Sequence, residues 1–252
     1  LFENIAKHAW KSGDPGMYFL DNAEKGNTTP SLGKMDATNP CGEQPLIPFE
    51  TCNMGHINLS VFVSGFPLID NKEILYMTTL DKMNFINWKR LAEVTKLAVR
   101  FLDDVIEINH YPIIEIEEMT KRTRNIGVGI MGFADLLVKL GIPYDSDEAI
   151  TIAEEIMGFI QKNSHLASTD LGEEKGDFPE FQNSIWKSSG RKHMRNTRVT
   201  TIAPTGTISI VANCNPGIEP IFALAYVKNV VDDAGLSRGS SPTTVPKPGT
   251  FL

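Results

Sequence analysis

The chain has 252 residues, 41% hydrophobic and 22% charged, with 31 acidic against 24 basic side chains and a net charge near -7. That length can bury one sizeable core, no apolar run reaches the roughly 20 residues that cross a bilayer, and the acidic balance disfavours a nucleic-acid backbone as partner. Three cysteines make no disulfide framework and suit a reducing compartment. A cytoplasmic location, with neither membrane nor nucleic acid as partner, is the expectation.

Apolar positions Phe2, Ile5, Ala6, Ala9 and Trp10 give residues 2–11 a helix face. The pattern is already running at Leu1, without a Met, as if cut from a longer chain. Gly13-Asp14-Pro15-Gly16 ends it, residues 17–20 read as a short buried strand, and residues 22–35 as a polar surface loop. Residues 38–46 read Thr-Asn-Pro-Cys-Gly-Glu-Gln-Pro-Leu. An extended backbone there puts Asn39, Cys41 and Glu43 on one face, with Pro40 and Gly42 on the other. The result is a stiff loop presenting a sulfur between an amide and a carboxylate. A lone Cys usually behaves as a small buried hydrophobe, but a carboxylate two residues away is an odd companion for one.

A second thiol, Cys52, follows in residues 50–59, Glu-Thr-Cys-Asn-Met-Gly-His-Ile-Asn-Leu. Ile57, Leu59, Val61 and Val63 then alternate with Asn58, Ser60 and Phe62, a strand closed by Gly65 and Pro67. Residues 88–109 form the clearest helix, with Leu91, Val94, Leu97, Ala98, Phe101, Leu102, Val105 and Ile106 on one stripe. A short helix over 113–124 follows, then a strand or turn over 125–132 and a helix ending at Gly141. Asp145 to Glu148 cap a helix over 147–172, residues 173–195 are irregular, and 199–203 form a strand that ends in Pro204-Thr205-Gly206-Thr207-Ile208-Ser209. The basic clusters 121–124 and 191–193 read as solvated faces. Alternating strands and helices predict an α/β fold with largely parallel strands. From Asp232 on, Gly, Pro, Ser and Thr dominate, so residues 1–231 form the domain and 232–252 a disordered or divergent tail.

Three groupings carry chemistry. Gly127-x-Gly129-x-x-Gly132 fits a dinucleotide fingerprint in form. Polar residues precede it where an apolar strand is needed, and Asp145 and Asp147 look like capping residues, so tight helix-to-strand packing is the stronger reading and a nicotinamide oxidoreductase the rival. The hydroxyl-rich turn at 204–209 can offer N–H groups and side-chain donors to an anion, against the reading of a capped turn without ligand. Cys41, Cys52 and Cys214 with His56 lack any C-x-x-C pair, so no metal site is expected. Cys214 reads as a buried or wall thiol.

The run NPCGEQPL followed by ETCNMGHINL resembles the catalytic loop of ribonucleotide reductase large chains, most closely the adenosylcobalamin-dependent class II enzymes. APTGTIS at 203–209 is similar to the family's phosphate-holding loop, and Gly217-Ile218-Glu219-Pro220 and the Arg124-Asn125-Ile126-Gly127 run also fit the family. The resemblance covers residues 1–230. It implies part of a ten-stranded α/β barrel with a central catalytic finger loop, adenosylcobalamin as cofactor, a ribonucleoside di- or triphosphate substrate and a thioredoxin-like reductant. Cys41 would be the transient thiyl, Glu43 the general base on the ribose 3′ hydroxyl, Asn39 a partner of the sugar hydroxyls and Cys52 half of a reducing dithiol. Asn39, Pro40, Cys41, Gly42 and Glu43 would contact substrate, as would Pro204, Thr205, Gly206, Thr207, Ile208 and Ser209. The family's partner for Cys52, its effector-sensing region and its last barrel strands lie outside these residues, so the resemblance implies a catalytic fragment that need not turn over alone, with nucleotide effectors acting elsewhere and a homodimer compatible. A class I large chain stands as a rival within the family, and a non-catalytic remnant that binds nucleotides or a partner stands as a rival outside catalysis.

Overall fold

The computed structural model describes residues 1–64 and 77–223, and beyond them the backbone of four short strands. The elements run α1 (Phe2–Ser12), α2 (Leu20–Lys25), β1 (Ala37–Thr38), β2 (Pro45–Leu46), β3 (Asn53–Asn58), α3 (Thr79–Met83), α4 (Trp88–Ile108), α5 (Ile114–Thr123), β4 (Ile126–Met131), α6 (Phe133–Lys139), α7 (Asp147–Lys175), α8 (Ile185–Ser188) and α9 (Ile208–Val211). The late strands β5 (Ala225–Tyr226) and β8 (Thr243–Thr244) pair antiparallel, as do β6 (Asn229–Val231) and β7 (Ser237–Gly239). The rest of the 232–252 tail, and the Gly65 and Pro67 strand end, lie outside the described residues.

The sheet at the centre is parallel. β3 pairs β4 in register from Asn53↔Ile126 to Asn58↔Met131, and Val128 bridges Thr200 on the other side. All six residues of β4 are buried, which is why this strand is apolar or glycine throughout instead of alternating. Ile126, Val128 and Ile130 point to the helices, where they pack with Leu91, Val99, Leu102 and Ile106 of α4 and Ile152, Ile156 and Ile160 of α7. On β3 the same face carries Gly55, where a Cβ would sit 3.4 Å from Leu102. His56 and Asn58 therefore point to the opposite, inner face.

Local signals explain the helix starts. Asn87 accepts from the Arg90 N–H to cap α4, and Ser146 accepts from the Ala149 N–H to cap α7. Several expectations need correction. Residues 17–20 are exposed and form no strand, with Leu20 opening α2. The strand expected from Ile57 starts at Asn53 instead and stops at Asn58, whose side chain accepts from the Ser60 N–H and turns the chain into a 3-10 helix over Leu59–Phe62. On α4 the buried stripe runs through Leu91, Thr95, Val99, Leu102 and Ile106, leaving Leu97 and Phe101 exposed.

Arg124 is not on a solvated face: it is 3% exposed and caps α5 at φ 49°. Its guanidinium holds Asp103, itself fully buried, at 2.8 Å. Arg195 and the Asn196 amide bond the same carboxylate, and Ser168 donates to Asn196 Oδ1 at 3.0 Å. Three separate segments thus meet on one buried charge behind the sheet, and α7 joins them through Asn196.

Candidate active site

The segment around Cys41 is a β-hairpin. β1 and β2 pair antiparallel with Ala37↔Leu46 and Thr38↔Pro45. Between them the Gly42 N–H donates to Asn39 O at 3.0 Å, and the Gln44 N–H donates to Asn39 Oδ1 at 3.0 Å. Gly42 has φ +87°, which L side chains rarely adopt. The alternating face expected for an extended chain is therefore lost, because residues 39–42 reverse direction. Cys41 sits at the exposed tip with Pro40 and Gly42, while the Glu43 Oε2 atom is buried without a hydrogen-bond partner. Asn39 spends its carbonyl oxygen on the turn, leaving its amide NH2 for a ligand.

Arg198 fastens the hairpin to the sheet. It donates to Pro45 O and to Glu50 Oε2, both at 2.5 Å, and Glu50 also accepts from the Ile47 N–H. Arg198 in turn precedes the extended segment that bridges β4, since the Ile126 N–H bonds Arg198 O. Nothing in the sequence singled out Arg198; its role follows from a pairing 148 residues apart.

The inner face of the sheet supplies the rest. A Cβ on Gly127 would lie 3.2 Å from Cys52 Sγ and 2.8 Å from Thr201 Cγ2, and one on Gly129 would lie 2.5 Å from His56 Cδ2. Both glycines lie inside β4 and make room for these side chains on the face away from α4. This corrects the helix-packing reading, and it puts the first two glycines of the dinucleotide pattern inside a strand, leaving only Gly132 in the turn that such a site needs. Burial pushes the Cys52 thiol up to about 12, with Arg198 opposing and Glu50 and Glu43 adding to the rise. Burial lowers the His56 imidazole, against the charge of Glu43. Glu43 thus acts through its charge on two groups of the inner face. Glu43 Oε2, His56 Nε2, Thr201 Oγ1 and Arg198 Nε are all buried without a hydrogen-bond partner. Such atoms are uncommon and mark a polar space.

The turn at 204–209 stands at the far end of residues 198–203, roughly 20 Å along an extended chain from the hairpin's anchor. Thr205, at φ +55° and buried, accepts from the Gly217 N–H through its hydroxyl at 2.7 Å, and its carbonyl accepts from the Ser209 N–H. Asn58 at the end of β3 donates to Ala212 O, and the Gly132 N–H at the end of β4 donates to Asn215 O. The turn is thereby stitched to the carboxyl ends of the strands, the usual ligand side of a parallel sheet. Thr205 and Ser209 are buried, whereas Pro204, Gly206, Thr207 and Ile208 are exposed. Cys214 is half-buried beside Gly132, its thiol raised to about 11 by burial and by Asp135. Among the described residues no group of three or more His, Cys, Asp and Glu side chains could hold a metal ion, and no helix is long and apolar enough to cross a membrane.

Fold and site together define a class: a parallel α/β layer whose inner face bears a thiol, with an anchored hairpin that presents a second thiol and a carboxylate, and a hydroxyl-bearing turn at the carboxyl ends of the strands. The chain belongs to the ribonucleotide reductase barrel-domain family, whose model matches residues 1–193 and again 187–238. It is 49% identical, over 92% of its own length, to a vitamin B12-dependent ribonucleoside-diphosphate reductase of Thermoplasma acidophilum, and 47% identical over 92% to the protein of that name from Mycobacterium tuberculosis. A ribonucleoside-diphosphate reductase subunit alpha of Chlamydia pneumoniae is 27% identical over 91% of the chain. The chain spans 28%, 30% and 24% of these three relatives, respectively.

Proposed function

We propose that the chain is the catalytic part of a class II ribonucleotide reductase, forming some of the strands of a ten-stranded barrel and reducing ribonucleoside diphosphates. The observation that carries this is the buried, unpartnered Glu43 carboxylate, brought by the Cys41 hairpin to the inner face that holds Cys52. The 49% and 47% identity to the Thermoplasma and Mycobacterium enzymes, against 27% to the Chlamydia subunit, supports class II, and the diphosphate in the names of those two supports that substrate.

In this reading Cys41 as a thiyl takes the 3′ hydrogen, forming S–H as C–H breaks. Glu43 accepts the 3′ hydroxyl proton, and the 2′ hydroxyl leaves as water. Cys52 and a second thiol lose two electrons and two protons and become a disulfide: one proton leaves with the 2′ hydroxyl as water, the other hydrogen goes to C2′, and Cys41 returns its hydrogen to C3′ as Glu43 returns its proton. Burial keeps Cys52 protonated, which suits a hydrogen donor better than a nucleophile. The free N–H groups of Gly206, Thr207 and Ile208, with the Thr207 hydroxyl, would hold the phosphates. Asn39, through its amide, would steady the sugar.

The exposure of Pro40, Cys41 and Gly42 fits adenosylcobalamin, since a radical source outside the chamber can reach the sulfur at the tip, and these three residues would face it. When bound, that group supplies a carbon-centred radical. A thioredoxin-like reductant, effectors acting outside these residues, a homodimer and a cytoplasmic location complete the proposal. Its test is to add adenosylcobalamin and cytidine diphosphate to the complete protein and follow cofactor cleavage. Cleavage that needs substrate supports class II, whereas activity that needs a separate metal-bearing subunit overturns it.

A further inference from the structure

We propose that His56 is a further substrate contact: its imidazole and the Glu43 carboxylate bracket one sugar hydroxyl on the floor of the chamber. This rests on the reading of Cys41 and Glu43 as the ribonucleotide site and names a residue that reading leaves out.

The sheet is built to seat this ring. His56 lies in register with Gly129, and any Cβ at 129 would come within 2.5 Å of Cδ2 and 2.7 Å of Nε2. The residue stands on the inner face four positions beyond Cys52 and two before Asn58, which anchors the phosphate turn through Ala212. In the proposed reading the substrate spans from Glu43, whose charge reaches His56, to the turn that Asn58 anchors on the same strand. A histidine that only filled space would give its nitrogen a partner, yet Nε2 is buried and bonded to nothing, as is Glu43 Oε2.

The two orphan atoms are complementary. In the Nε2–H tautomer the neutral imidazole donates, and a carboxylate only accepts. A hydroxyl does both, so its O–H can donate to Glu43 while its oxygen accepts from Nε2–H. The hydroxyl Glu43 is assigned to is the 3′ one. Burial favours the neutral ring, and the charged group that acts on it is Glu43 from the hairpin; Arg90 of α4 and His56 line a common cavity of about 540 Å³ beside β3.

The test compares binding of cytidine diphosphate and its 3′-deoxy analogue to the complete protein by calorimetry, in wild type, His56→Ala and His56→Gln. His56→Ala is expected to weaken cytidine diphosphate about tenfold, a single lost hydrogen bond, and His56→Gln to restore most of that. The 3′-deoxy analogue should bind wild type and His56→Ala alike, which a merely structural role would not produce. In the free protein, the His56 imidazole followed by NMR should titrate lower still in Glu43→Gln, because the carboxylate charge is what holds it up. Equal cytidine diphosphate affinity in wild type and His56→Ala, equal loss for both ligands, or an unchanged His56 titration in Glu43→Gln overturns the inference alone. A wild type that binds no cytidine diphosphate overturns it together with the reductase reading.

Discussion

The hairpin and the buried network behind the sheet use charge in opposite ways. At Asp103 every oxygen is engaged, by Arg124, Arg195 and Asn196, and the residue is wholly enclosed. At Glu43 one oxygen is enclosed and engaged by nothing. The first arrangement ties α4 to the end of α5 and to residues 195–196, and in the proposed reaction the second keeps an acceptor ready. Scaffold and chemistry are therefore separated by the thickness of one sheet, and they should fail separately.

Removing the scaffold charge has the largest expected effect on stability. Asp103→Ala leaves buried Arg124 and half-buried Arg195 with Glu107 as carboxylate partner and Asn196 with an unmet amide, and should cost about 3 kcal/mol in urea unfolding. A loss below about 1 kcal/mol would mean that the network is not what holds these segments. Gly129→Ala tests the inner face: its Cβ would meet the His56 ring and the Thr201 carbonyl oxygen at 2.9 Å, with a cost of about 1–3 kcal/mol. Gly42→Ala, at the hairpin turn, meets no neighbouring atom but must adopt positive φ, so about 1 kcal/mol is expected, with a much larger loss of activity in the complete protein.

Acid should loosen the scaffold through His165. Burial and Arg191 lower its pKa to about 4, so the unfolded chain binds the proton first. The stability that the neutral ring provides is present above pH 6.5 and lost as pH falls toward 4. His165→Gln should flatten unfolding midpoints across that window, and an unchanged pH slope would refute the assignment. The smallest effect separates the two thiols: at pH 8 iodoacetamide should label exposed Cys41 well before Cys52, whose thiol is pushed up to about 12. Equal labelling rates in the folded chain would contradict the contrast.

How much of this is legible in the sequence follows the range of the interactions. The helices over α4 and α7 are readable because their apolar periods, and for α7 the capping residues, are local, and the turn at 204–209 because its hydroxyls and glycine are contiguous. The α/β character follows from the alternation of strands and helices, but the expected largely parallel pairing does not: of the four strand pairs among the described residues only β3 with β4 is parallel, because the short hairpins pair locally. The hairpin reads as extended because Pro40 and Gly42 suit both a stiff strand and a turn, and only the Asn39 bonds to Gly42 and Gln44 decide between them. Gly127 and Gly129 are legible as close contacts, but which face they relieve depends on where Cys52, His56 and Thr201 fall in a register no local pattern sets. Arg124 looks like a surface charge and Arg198 draws no notice, because their acidic partners lie 21 and 148 residues away.

The separation of scaffold from chemistry is tested most directly at the hairpin tip. The complete protein, given adenosylcobalamin, a dithiol and cytidine diphosphate, should form the 2′-deoxy product in wild type. Cys41→Ser should form none while unfolding at the same urea concentration and binding the nucleotide as tightly. Product from Cys41→Ser at the wild-type rate would contradict the account.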